Sequence, residues 1–123
     1  LVLTSQPIDM HRLKLGNDEA PTLVLTNESD SISGNVRFAA VGNVHDLDGV
    51  LRRLHAENIL SVLVEGGAHV LRSFLECGLW DEARVIVSDN SLGSGLKAPS
   101  ISRVSSMGQR SSTDRIYYYY NKS

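Results

Sequence analysis

The run Val62-Leu63-Val64-Glu65-Gly66-Gly67-Ala68-His69-Val70-Leu71 is the part of the chain best suited to chemistry. Apolar residues that read as a buried strand lead into two glycines, and helical spacing follows. A helix starting there points unpaired backbone N–H groups and the positive end of its dipole past the strand. A phosphate or pyrophosphate can be held at such a point. Glycine lets the ligand approach the backbone with no Cβ in the way, and open α/β sheets bind ligands at such strand ends. Glu65 places a carboxylate just ahead of the glycines, able to accept hydrogen bonds from sugar hydroxyls or to polarise a proton-bearing group. Plainer readings stay open. Glu65 caps the helix or pairs with an arginine, and Gly66-Gly67 is a tight turn without a ligand. The dinucleotide fingerprint G-x-G-x-x-G is absent.

Other groupings carry less. His11, His45, His55 and His69 show neither H-x-x-x-H nor H-E-x-x-H spacing, so no metal site is expected. His69 reads as a polar residue of the helix's first turn, and Ser73 either faces the ligand or lies along the helix side. No G-x-S-x-G nucleophile motif occurs. The single Cys77 rules out an internal disulfide and a multi-cysteine zinc site. Trp80 reads as a cap over the core or part of an interface.

Composition bounds the rest. The 123 residues suit one domain spanning the chain, and 41% hydrophobic content argues against disorder. Twelve basic and 14 acidic residues give a net charge of −2, so no basic field favours nucleic acid. No apolar run reaches the roughly 20 residues of a membrane span, and Leu1-Val2-Leu3 lacks the basic flank of a signal peptide. A cytoplasmic protein with no membrane partner is the expectation. The chain opens within an apolar run and without Met, which suggests a fragment of something longer.

The elements that must position the site follow from periodicity. Strands are expected at 1–4, 22–26, 36–41, 61–64 and 83–88, with polar loops at 8–20 and 27–35. Leu47, Val50, Leu51 and Leu54 form one helical face, with Arg52, Arg53 and Glu57 on the wet side. Val70, Leu71, Phe74 and Leu75 form another, stopped by Gly78. A Gly/Ser-rich loop fills 89–99, and Gly93-Ser94-Gly95 reads as flexible. Strands at 101–107 and 113–120 make a hairpin turning near Gly108-Gln109, with alternate rings of Tyr117 to Tyr120 on opposite sides. The order predicts an α/β fold: a mixed, mostly parallel central sheet flanked by helices, with a C-terminal antiparallel hairpin.

Residues 51–99 resemble the carboxyl-terminal half of the riboflavin-biosynthesis reductase domain found in RibD-type bifunctional deaminase–reductases. The matching pieces are Asn58-Ile59-Leu60-Ser61-Val62-Leu63-Val64-Glu65-Gly66-Gly67, Ser73-Phe74-Leu75-Glu76-Cys77-Gly78-Leu79-Trp80-Asp81-Glu82, and Leu92-Gly93. Leu1-Val2-Leu3-Thr4-Ser5 looks like the family's strand before a second nucleotide contact. The resemblance implies a dihydrofolate-reductase-like fold lacking its N-terminal part, with no upstream deaminase domain. It implies NADPH as cofactor and 5-amino-6-(5-phosphoribosylamino)uracil, a phosphorylated pyrimidine, as substrate. Glu65 would contact substrate. Gly66, Gly67, Ala68, His69, Val70, Leu71, Arg72 and Ser73 would form the cofactor segment, with Ser5 a further contact. A homodimer, with the tyrosine-rich tail as an interface, is implied too, and the chain by itself is expected to lack reductase activity. Two other readings are a different NADPH reductase of the same fold and a non-catalytic dimerisation module.

Overall fold

A computed structural model describes residues 1–9, 20–102, 108–111 and 113–121. The chain forms two compact units, Leu1–Val62 and Leu63–Ser123.

The first unit holds β1 (Val2–Leu3), β2 (Thr22–Thr26), β3 (Ser31–Ser33), β4 (Val36–Ala40) and α1 (Leu47–Ala56). Its sheet runs β1-β2-β4-β3. β1 and β4 both pair parallel with β2, and β3 is antiparallel to β4. The α1 face built from Val50 and Leu54 closes over Leu25 and Ala39, with Leu3, Leu23, Val41, Leu51 and Ile59 packed around them. This is the mixed, mostly parallel sheet that the element order predicts. The segment 27–35 differs from its expectation as a loop. Gly34, at φ +60°, makes a two-residue turn with Asn35 that folds Ser31–Ser33 back on β4. Most of the expected loop at 8–20 lies outside the described residues.

Helix α1 is closed at both ends. The Asp46 carboxylate accepts from the Gly49 N–H at 3.2 Å. At the other end Asn58 takes φ +59°. Its N–H donates to the His55 carbonyl, and the Ile59 N–H donates to that of Leu54, both at 3.0 Å. This left-handed stop satisfies the last carbonyls.

Arg53 and Glu57 are not simply solvated. Arg53 Nη2 donates to Asp30 at 3.0 Å and lies 3.2 Å from Glu57, and Arg37 pairs with Glu57. Asp30 also accepts from the Ala40 N–H at 2.7 Å. The Ala40 amide first, and then Arg53, hold the Asp30 carboxyl below the usual carboxylate range. The hydrogen bond from Arg37 does most of the same for Glu57. Arg37 and Glu57 lie 20 residues apart in the chain and Asp30 and Arg53 lie 23 apart, beyond the reach of a local pattern, whereas Arg53 and Glu57 are an i,i+4 pair.

The second unit holds α2 (Ala68–Glu76), β5 (Glu82–Ser88), β6 (Arg110–Ser111) and β7 (Asp114–Tyr120). Its sheet is β5-β7-β6, antiparallel throughout. β6 and β7 form the C-terminal hairpin, but the Gln109 carbonyl accepts from the Ile116 N–H at 3.1 Å, so Gln109 lies alongside β7 and not at the turn. Ile101 and Ser102 are not in a strand, and residues 103–107 of that expected strand lie outside the described residues. Tyr118 and Tyr120 pair across from Arg84 and Glu82, whereas Tyr117 and Tyr119 pair with Val85 and Ala83. The rings thus alternate between faces, and Arg84 lies 5.5 Å from the centre of the Tyr118 ring.

The expected strand at 61–64 is not one. The boundary between units falls within it, and it has no ladder partner among the described residues. Leu60 and Leu63 are 82% and 83% exposed. A strand exists through its neighbours' hydrogen bonds, and β-forming composition without them does not make one.

Two outcomes test this packing. Leu54→Ala should destabilise the protein by about 2–5 kcal/mol in urea denaturation, since it opens a cavity in the tightest cluster. Asp30 and Glu57 have folded-state pKa values below their unfolded ones. Their contribution is therefore complete above the unfolded carboxylate range, about pH 4, and is lost as pH falls further. Thermal melts across pH 2–7 should show an acid limb that Asp30→Asn with Glu57→Gln flattens.

Candidate functional site

The candidate site is the start of α2. Gly67 is the residue before the first helical position, with φ −47° and ψ 164°, and no side chain caps the helix. Any residue can adopt that backbone. Neither Gly66 nor Gly67 has the left-handed φ found at Gly78, +68°. A Cβ built on either would meet nothing within 4 Å. Local folding thus requires glycine at 78 but not at 66 or 67. What the pair provides is a bare approach to the helix start.

The helix's own ladder begins with the Leu71 N–H, which donates to the Gly67 carbonyl at 3.2 Å. The amides ahead of Leu71 lie outside that ladder and point toward the glycine turn, with the dipole's positive end. Glu65 is exposed immediately before the turn. A carboxylate beside an amide cluster suits a ligand that presents both an anionic bridge and hydroxyl groups.

The remaining candidates divide by position. Ala68 and Val70 are half-buried, so their backbone is what they offer a ligand; Leu71 is half-buried with its N–H already in the ladder, while His69 is exposed. The Ser73 hydroxyl donates to the His69 carbonyl at 3.0 Å and so lies along its own helix. Arg72 is exposed and lines an open cavity of about 330 Å³ along the C-terminal half of α2, with Leu75, Glu76, Trp80, Pro99 and Asn121 among its walls. Sequence reading missed this cavity, because its walls come from stretches some 20 residues apart with no shared pattern. Ser5 belongs to the first unit, exposed in the bend after β1. There the Thr4 hydroxyl accepts from the Gln6 N–H at 3.0 Å.

Among the described residues, no group of three His, Cys, Asp or Glu is placed to hold a metal ion. No described helix is long and apolar enough to cross a membrane.

An α/β chain with this mixed sheet and this glycine turn falls within a known family. Residues 1–111 match the RibD C-terminal domain, and the chain belongs to that family. It is similar to the riboflavin biosynthesis protein RibD of Aquifex aeolicus (strain VF5), with 30% identity over 86 residues. That alignment covers 67% of this chain and 24% of the relative, so the chain spans about a quarter of that protein's length.

If folding does not require the glycines, replacing them should leave the fold intact. Gly67→Ser adds a capping hydroxyl and should hold or slightly raise the melting temperature, by a few tenths of a kcal/mol at most. Differential scanning calorimetry reads this directly, and a loss of several degrees would mean the glycine is structural.

Proposed function

We propose that the chain is part of an NADPH-dependent reductase of riboflavin biosynthesis. It would act on 5-amino-6-(5-phosphoribosylamino)uracil and give the ribitylamino product. Membership of the RibD C-terminal domain family supports the pathway. The observation that carries the site is the glycine pair that local folding does not require, opening onto an uncapped helix.

The residues present suit the cofactor. The amides from Gly66 to Val70 would hold its pyrophosphate, and exposed His69 and Arg72 add positive or polar character to the same helix. The Ser73 hydroxyl stays on its own helix, donating to the His69 carbonyl. Ser5, at the exit of β1, is proposed as a further contact. When bound, NADPH supplies the hydride. The chain's part is to orient the substrate, whose open-chain C1–N double bond becomes single as carbon gains hydride and nitrogen gains a proton. Orientation of this kind needs no protein nucleophile or metal.

Glu65 would accept hydrogen bonds from substrate hydroxyls and so fix the sugar beside the cofactor. A carboxylate accepting from hydroxyls makes the stronger, charge-assisted kind of bond. The enzyme would work in the cytoplasm as a homodimer.

The two halves of the site should separate kinetically in the full-length enzyme. Glu65→Gln should lower kcat/KM for the pyrimidine about 10- to 100-fold, as for loss of a charged hydrogen bond, with NADPH binding retained. Gly66→Ala should do the reverse, raising KM for NADPH and sparing the pyrimidine. Unchanged turnover in Glu65→Gln would remove the carboxylate from the site.

A further inference from the structure

The C-terminal end of α2 is held by a residue 43 positions further along the chain. Asn121 Nδ2 donates to the Gly78 carbonyl at 2.9 Å. The Asn121 backbone N–H donates to the Asp81 carbonyl at 2.8 Å, one step beyond the Glu82–Tyr120 pair of the β5–β7 ladder. Gly78 is the left-handed stop of α2: its N–H donates to the Leu75 carbonyl at 3.2 Å, and the Leu79 N–H to that of Phe74 at 3.1 Å. Those bonds satisfy the Leu75 and Phe74 carbonyls, and the carbonyl of Gly78 is the one passed to the sheet.

Packing gives this end of the helix little other support. No α2 residue is fully buried, and the cavity of about 330 Å³ opens beside Arg72, Leu75 and Glu76. A helix of nine residues moves as a short rod. Where Gly78 is pinned therefore decides where the Gly67 end presents its amides.

We propose that Asn121 is a positioning residue for the cofactor turn, acting through Gly78 and α2 without touching the cofactor. This rests on the reading of Gly66 to Val70 as that turn. Amide nests discriminate on placement finer than an ångström, so a helix end released from the sheet weakens the cofactor's hold more than it weakens the fold.

The test uses the full-length enzyme carrying Asn121→Asp, which keeps the shape and removes the amide donor. KM for NADPH should rise about fivefold, the worth of one hydrogen bond, with kcat within about twofold of the parent. Asn121→Ser, which retains a shorter donor, should give a smaller rise and covers the case where the Asn121→Asp variant folds poorly. Leu54→Ala serves as comparator, lowering the melting temperature without moving KM for NADPH. A lowered melting temperature with unchanged KM in both Asn121 variants would overturn the proposal. Gly67→Ser, measured alongside, separates the two ways of failing. If it raises KM and the Asn121 variants do not, the positioning role alone is lost. If none raises KM, the cofactor turn is misassigned.

Discussion

Backbone amides at the beginning of a helix have no partner inside it, and something outside must take them up. The chain answers this requirement differently at its two helices. At α1 the Asp46 carboxylate folds back to the Gly49 N–H, and the start is closed by the chain itself. At α2 the corresponding residue is Gly67, which offers no side chain, and a second glycine precedes it. A serine or aspartate would fit the same backbone and close the helix more tightly. The start of α2 thus forgoes the stability of a side-chain cap, and the proposed site uses that opening for an external anion. The reading of the site depends on that difference.

The two units carry unequal cores. In the first, Val24, Leu25, Val36, Ala39, Val50 and Leu54 are nearly or wholly removed from water. Its half-exposed ion network adds electrostatic ties between α1 and the β3–β4 hairpin, each modest at such exposure. In the second, none of the described side chains reaches that degree of burial. The sheet is held chiefly by its seven-residue β5–β7 ladder, and α2 by its left-handed stop and the bond from Asn121. An element with thin packing depends more on each polar contact, so single hydrogen bonds at the foot of α2 matter there.

What the sequence revealed follows the range of the interactions concerned. Both helices were legible because their apolar stripes and the stop at Gly78 are local signals a few residues apart. The mostly parallel sheet of the first unit was legible in outline, through the short strand-forming runs at 1–4, 22–26 and 36–41. The strand at 31–33 was hidden by its serines, although Gly34-Asn35 was there as a turn signal. The run at 61–64 has the composition of a strand, yet strand formation is decided by distant partners. The Asp30–Arg53 and Arg37–Glu57 pairs and the Asn121–Gly78 bond were beyond any local pattern, since each joins residues 20 or more apart. At the candidate site, sequence located the glycine turn and Glu65. Only the backbone angles and the open space around Gly66 and Gly67 separated a turn that needs glycine from one that does not.

The most direct measurement is amide hydrogen exchange of the full-length protein with and without NADPH, resolved to single residues. If the cofactor is gripped where α2 begins, exchange should slow at Gly66 through Val70 on adding NADPH, with little change at the start of α1. Protection confined to other segments, with those five amides exchanging as freely as before, would contradict the account.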